Sequence, residues 1–153
     1  AGGRVIQVDT PAGLYDRPQN RQVAGFVGTM NFFDGTVRGS GSDRVAEIAG
    51  LGRHSLNGSA RDRADGDRVL VAIRPEGLAL SDSPPDHAAV AGRLQARQYL
   101  GGRQLLHVAV EGRAAPVAVA ALASRGEDPW EGREGQPVWL SWGPDAMTVL
   151  DPD

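Results

Sequence analysis

The side chains that could do chemistry are few, and their spacing is against them. Three histidines, His54, His87 and His107, stand too far apart in sequence to form a zinc-type motif. His107 lies in an alternating stretch whose apolar neighbours Leu106 and Val108 face the other way, which fits a structural histidine. Asp62, Asp65 and Asp67 alternate with Arg61, Arg63 and Arg68. A calcium loop would need a spaced acidic set closed by Glu, so a solvated turn is expected. Gly39-Ser40-Gly41-Ser42-Asp43 offers a serine without a strand–elbow–helix context or a placed base, and reads as a hairpin loop. Gly50-Leu51-Gly52 ahead of Ser55 has the glycines of a dinucleotide turn but no helix to receive a pyrophosphate.

Composition removes further chemistries. All 16 basic residues are arginine, so no lysine exists to serve a phosphate loop, a Schiff base or a kinase-type site. There is no cysteine, which excludes thiol catalysis, iron–sulfur ligation and cysteine-based zinc sites. A net charge of −3 and only 5% aromatic residues exclude the basic, stacking surface that nucleic acid requires. No apolar run reaches the roughly 18 residues of a membrane span, so no direct membrane insertion is expected. The start at Ala1-Gly2-Gly3, without Met or a signal-like segment, suggests a soluble piece cut from a longer or processed chain.

Two polar features remain. Arg74-Pro75-Glu76 sets a cation and an anion at a turn, with local pairing as the default and contact across an interface as the alternative. Asp128-Pro129-Trp130-Glu131 is a polar loop carrying an aromatic, either a docking point or an isolated surface Trp. The residues alone assign no catalytic, cofactor or metal site.

The elements that position these residues are mostly strands. Arg4–Val8 reads as a strand, Thr10-Pro11 as the capped start of a short helix, and Asn20 as the cap of a second helix that Gly28 closes. After Asn31 come short β-rich runs at 33–38, 44–48, 68–73, 90–99, 105–110, 117–120, 138–142 and 147–150, separated by Gly, Asp, Asn and Pro. Residues 118–123, alanine-rich enough for a helix, are assigned to a strand. Many short strands at this spacing predict an antiparallel barrel or sandwich. A strand–helix–helix lead-in cannot fold alone, so it is expected to pack on the rest of the chain or on something missing.

One internal repeat is present. The segment from Gly66 to Glu76 has a counterpart 69 positions later, from Gly135 to Asp145. Each copy runs glycine, alternating strand, proline with an acid, then a second apolar strand at 78–80 or 147–150. The alternation puts Val69, Val71 and Ile73 on one face and Val138, Leu140 and Trp142 on the equivalent face. Proline ends the ladder after each strand. Two copies predict a barrel built from two similar halves.

The opening residues carry a resemblance. Gly3-Arg4-Val5-Ile6-Gln7-Val8, Thr10-Pro11, Leu14-Tyr15, Pro18, Asn20, Val23-Ala24, Phe26-Val27-Gly28 and Asn31 resemble the stretch that closes the nucleotide-binding domain of ATP-binding subunits of bacterial ABC importers. Asp9 stands where that family usually has Gly, and Gln22 where it usually has Phe. The remainder resembles the family's C-terminal transport-associated OB, or TOBE, domain: Val69–Glu76 with Leu78 and Leu80, Gly92–Gly101, and Trp139–Leu150. Tyr99 and the Ser141-Trp142 ending look most like the polyamine-type importers among the polyamine, sugar and iron types.

The resemblance implies a mainly β, OB-like (TOBE) antiparallel barrel of two similar halves over residues 32–153, behind a remnant of a nucleotide-binding domain over residues 1–31. It implies a regulatory and dimerisation region without ATPase activity of its own, in a parent that uses ATP and Mg. That parent would be cytoplasmic, peripheral to the inner face of the cell membrane, and would meet permease subunits through the missing domain. Arg74, Glu76, Trp130 and Trp139 form the candidate homodimer interface, since Arg and aromatics are enriched at such surfaces. The alternative reading is a free-standing barrel that binds a small ligand or oxyanion with arginines and turn N–H groups.

Overall fold

The computed structural model describes residues 30–40, 43–48, 51–56, 63–86, 89–122 and 128–152. The expected lead-in strand and helices, and His87, lie outside the described residues. Among the described residues the chain runs through β1 (Asn31–Arg38), β2 (Val45–Ile48), β3 (Gly52–Ser55), β4 (Arg68–Ile73), β5 (Ala79–Ser81), β6 (Val90–Tyr99), β7 (Arg103–Ala109), β8 (Val117–Leu122), β9 (Pro137–Ser141) and β10 (Met147–Leu150). Two compact units result. Of the described residues, the first holds those up to Ile73 together with the segment from Met147 on, and the second those between Arg74 and Ala146.

The first unit carries an antiparallel sheet in the order β10-β4-β1-β2-β3. The interior strand β4, paired with β10 on one side and β1 on the other, reads as a near-continuous apolar run because both of its faces are buried: Val69, Leu70, Val71, Ala72 and Ile73 are each at most 2% exposed. Register brings Phe33 and Val149 opposite Val71, and Met147 opposite Ile73, so these side chains share one face. The other face gathers Leu70, Ala72 and Leu150, with Met30 and Phe32 packed on them. Burying each Phe, Leu or Val stabilises by roughly 1.5–3 kcal/mol.

Strand β3 falls outside the β-rich runs of the sequence. Gly52–Ser55 has no apolar residue and serves as an edge strand, where exposed polar side chains are the rule. Arg53 lies opposite Glu47 and pairs with it at 3.0 Å, an exposed contact of little energetic weight. The turn read from the aspartates is present: Asp65 Oδ1 accepts from Gly39 N at 2.9 Å and Asp67 Oδ2 from Ala64 N at 2.8 Å.

The second unit carries a sheet in the order β5-β9-β6-β7-β8, also antiparallel. Its inner face is lined by Leu94, Leu106, Val108, Val117, Val119, Val138 and Leu140, each at most 2% exposed. The alanine-rich segment is a strand as expected and extends to Leu122.

The 69-residue repeat explains how the chain supplies both sheets. Each copy is a strand, a 3-10 turn (Pro75–Gly77 or Pro144–Ala146) and a strand. The first copy gives β4 to the first unit and β5 to the second; the second copy gives β9 to the second unit and β10 to the first. Displacing the pair Ile73↔Met147 by the repeat offset, forward on one side and back on the other, gives Trp142↔Leu78. That is one step beyond the observed pair Ser141↔Ala79, so both sheets use the same register.

Candidate functional site

A polar cluster in the second unit gathers around β6, and a β-bulge builds it. Up to Leu94, β6 turns Val90, Gly92 and Leu94 toward the inner face, opposite Leu140, Val138 and Val108. Strict alternation would then send Ala96 and Gln98 inward and Arg97 outward. The ladder instead steps from Leu94↔Val108 to Ala96↔His107, leaving Gln95 as an extra residue. Beyond that point Arg97 lies opposite Leu106 and Tyr99 opposite Gln104, on the inner face.

There Arg97 meets the loop that leads into β9. Its Nη1 donates to Asp128 Oδ2 at 2.6 Å and to the Tyr99 hydroxyl at 2.6 Å, and its Nε donates to Glu134 Oε1 at 2.7 Å. Asp128 is the hub. Its Oδ2 also accepts from Tyr99 OH at 3.1 Å, and its Oδ1 accepts from Gln104 Nε2 and from the Trp130 backbone N–H, both at 3.0 Å. The Asp128 side chain is 8% exposed, that of Arg97 13% and that of Glu134 44%. Gln104 is fully buried, and among the described residues its Oε1 has no partner. The Arg97 guanidinium carbon stands 5.4 Å from the centre of the Tyr99 ring.

The electrostatics pin every charge. Burial pushes the Asp128 carboxyl up, but hydrogen bonds from Gln104, Trp130 N–H and Tyr99, with the Arg97 charge, outweigh it and hold the group below its ordinary range. Glu134 is held low chiefly by the hydrogen bond from Arg97. Arg97 is held above its usual range, first by that same bond. A cluster charged in this way near neutral pH clamps a loop; it has no group poised to exchange a proton.

The residues expected at the interface belong to different features. Arg74 is half-buried and precedes the 3-10 turn, which Gly77 N closes on Arg74 O at 2.9 Å. Glu76 is exposed and, with Leu78, Ser141 and Trp142, lines a shallow cavity of about 460 Å³. Trp139 is half-buried in β9, opposite Ser81. Trp130 requires a correction: it is 9% exposed and its backbone serves Asp128, so its ring is not the surface aromatic that the loop sequence suggested.

The two described histidines have ordinary partners. His54 Nε2 donates to Leu51 O at 2.7 Å, and His107 Nε2 to Gln98 Oε1 at 3.3 Å. Among the described residues no three His, Asp or Glu converge as metal ligands, and no helix is long and apolar enough to cross a membrane.

Two antiparallel five-stranded sheets, fed by a duplicated strand–turn–strand unit, define an OB-like β fold. The family model described as "TOBE domain" matches residues 71–150, from β4 to β10, and the chain belongs to that family. It is 36% identical over 97% of its length to the spermidine/putrescine import ATP-binding protein PotA of Frankia alni, covering 34% of that protein. It is 32% identical over 97% of its length to the uncharacterized ABC transporter ATP-binding protein YdcT of Escherichia coli, covering 36% of it. The chain thus spans about a third of the length of the curated relatives it matches. Among solved structures it resembles the cytoplasmic molybdate-binding protein ModG with molybdate bound, at a TM-score of 0.61 and 14% identity, over 80% of this chain and 96% of that one. That likeness is one of fold.

Proposed function

We propose that this chain is the C-terminal regulatory and dimerisation region of the ATP-binding subunit of a polyamine-type ABC importer, preceded at residues 1–31 by the end of the nucleotide-binding domain. The observation that carries the reading is the alignment of 97% of the chain to about a third of a spermidine/putrescine import ATP-binding protein. On this reading ATP and Mg act in the longer polypeptide, which is cytoplasmic, peripheral to the inner membrane and docked on permease subunits through its nucleotide domain. The region itself holds no ATPase chemistry, consistent with the absence of lysine. Two copies associate through surfaces that include Arg74, Glu76 and Trp139, and nucleic acid is not a partner.

The experiment is direct. The longer polypeptide should hydrolyse Mg-ATP, whereas the 153-residue chain titrated with Mg-ATP in a calorimeter should give no saturable heat. Sedimentation equilibrium of the chain up to a few hundred micromolar should show a dimer. Saturable nucleotide binding by the short chain would refute the assignment, and a single 16.1 kDa species throughout would refute self-association through this region. The second reading, an oxyanion-binding barrel, is favoured by the likeness in fold to molybdate-bound ModG. Titration with molybdate separates the two, because the regulatory reading expects no saturable heat from it.

A further inference from the structure

Tyr99 and Leu100 are the large hydrophobic side chains exposed among the described residues, at 57% and 45%, and they are adjacent at the tip of the β6–β7 hairpin. The tip is tight: Leu100 N donates to Arg103 O at 2.8 Å, with Gly101 at φ +76° and Gly102 between them. It is also braced, since the Tyr99 hydroxyl is tied to both Asp128 and Arg97. A half-exposed ring held by its own hydroxyl has little rotamer freedom left to lose on binding. Arg103, exposed beside it, has no ion-pair partner among the described residues. A rigid Tyr with a neighbouring Leu and an exposed Arg has the composition of a protein-binding hot spot.

We infer that this tip docks on the ATP-binding domain of the same polypeptide, in an apolar depression with a carboxylate at its rim to receive Arg103. The inference rests on the proposed function above. Size selects the occupant. A half-exposed Tyr and Leu offer on the order of 200 Å² of apolar surface, whereas a free-standing interface needs roughly 800 Å² per partner. So small a contact holds only at the high effective concentration of a tethered domain, and about two thirds of the length of the matched relatives lies outside this chain. Charge argues against a second copy, because a two-fold contact through the tip would face Arg103 against its own counterpart.

The test places a photo-reactive p-benzoylphenylalanine at Leu100 in the longer polypeptide, with the same probe at exposed Glu111 as control, and maps the cross-linked peptides by mass spectrometry. The expected result is an intrachain cross-link from position 100 into the ATP-binding domain that position 111 does not give. A cross-link to a second copy or a permease, an equal yield from position 111, or no cross-link would overturn the inference. ATP hydrolysis by the same preparation keeps the two readings apart. With hydrolysis present and no cross-link, only the docking site fails; without hydrolysis, both readings fail.

Discussion

Replacing Gly92 with alanine should be costly out of proportion to the one methyl group added. Gly92 sits in β6 opposite Val138, on the inner face between β9 and β7. A Cβ there would lie 2.7 Å from Val108 Cγ1 and 2.8 Å from Ala109 O, against a comfortable separation of roughly 3.5–4.0 Å. Val108 is fully buried and has nowhere to turn, and the Ala109 carbonyl is backbone. The cost should therefore fall at the upper end of the roughly 1–3 kcal/mol typical of overpacking. Gly102→Ala is the matched control. Nothing lies within 4 Å of a Cβ there and its φ is not positive, so a neutral effect or a gain of about 0.4–1 kcal/mol is expected. Trp130, Trp139 and Trp142, the three tryptophans of the sequence, all belong to the second unit, so urea unfolding followed by tryptophan fluorescence reports on the unit that contains Gly92. In a Val108→Ala background the penalty should shrink but persist, because the carbonyl contact remains. A Gly92→Ala cost within about 0.5 kcal/mol of zero, the scatter of ordinary surface changes, would refute the packing argument. So would its complete relief by Val108→Ala.

Other consequences are open to measurement. Arg97→Lys keeps one charge but cannot serve Asp128, Tyr99 and Glu134 at once, so amide exchange at Trp130 should speed up, and further still in Arg97→Ala; unchanged exchange in both would remove the clamp. Asp128 and Glu134 have folded-state acidities shifted below the ordinary carboxylate range, so their stabilisation is in place above that range and is lost as pH falls through and below it. Tryptophan emission should accordingly hold steady from neutral pH down to about 4 and then shift to the red, a step that Asp128→Asn should weaken and that should vanish when Glu134→Gln is added; a transition at pH 5 or above would contradict this. Phe33→Ala, at a site 1% exposed, should destabilise the first unit by roughly 3–5 kcal/mol and strip exchange protection from β4; protected β4 amides would show that Phe33 is dispensable.

The features legible in the amino-acid order are those whose cause is local. Alternation marked β4, β6 and β10 with the boundaries they have in the structure, and glycine and proline chemistry marked where strands stop. The duplication of Gly66–Glu76 at Gly135–Asp145 was visible as sequence, and it carries the strand–turn–strand unit that feeds both sheets. The edge strand β3 was not legible, because without buried side chains a strand leaves no hydrophobic signature and exists only through the ladder it makes with β2. The charged network was hidden for a different reason. Alternation from Leu94 puts Arg97 on the outer face, and only the extra residue Gln95, accommodated against β7, reverses that phase. Its partners Asp128 and Glu134 lie beyond two further strands, so their meeting with Arg97 depends on how β6, β7 and β8 pair. Sequence thus determined where the strands begin, end and repeat, since backbone propensity and side-chain period act over a few residues. The tertiary structure decided which faces meet and which charges become partners, since hydrogen-bond register between distant strands has no local signature.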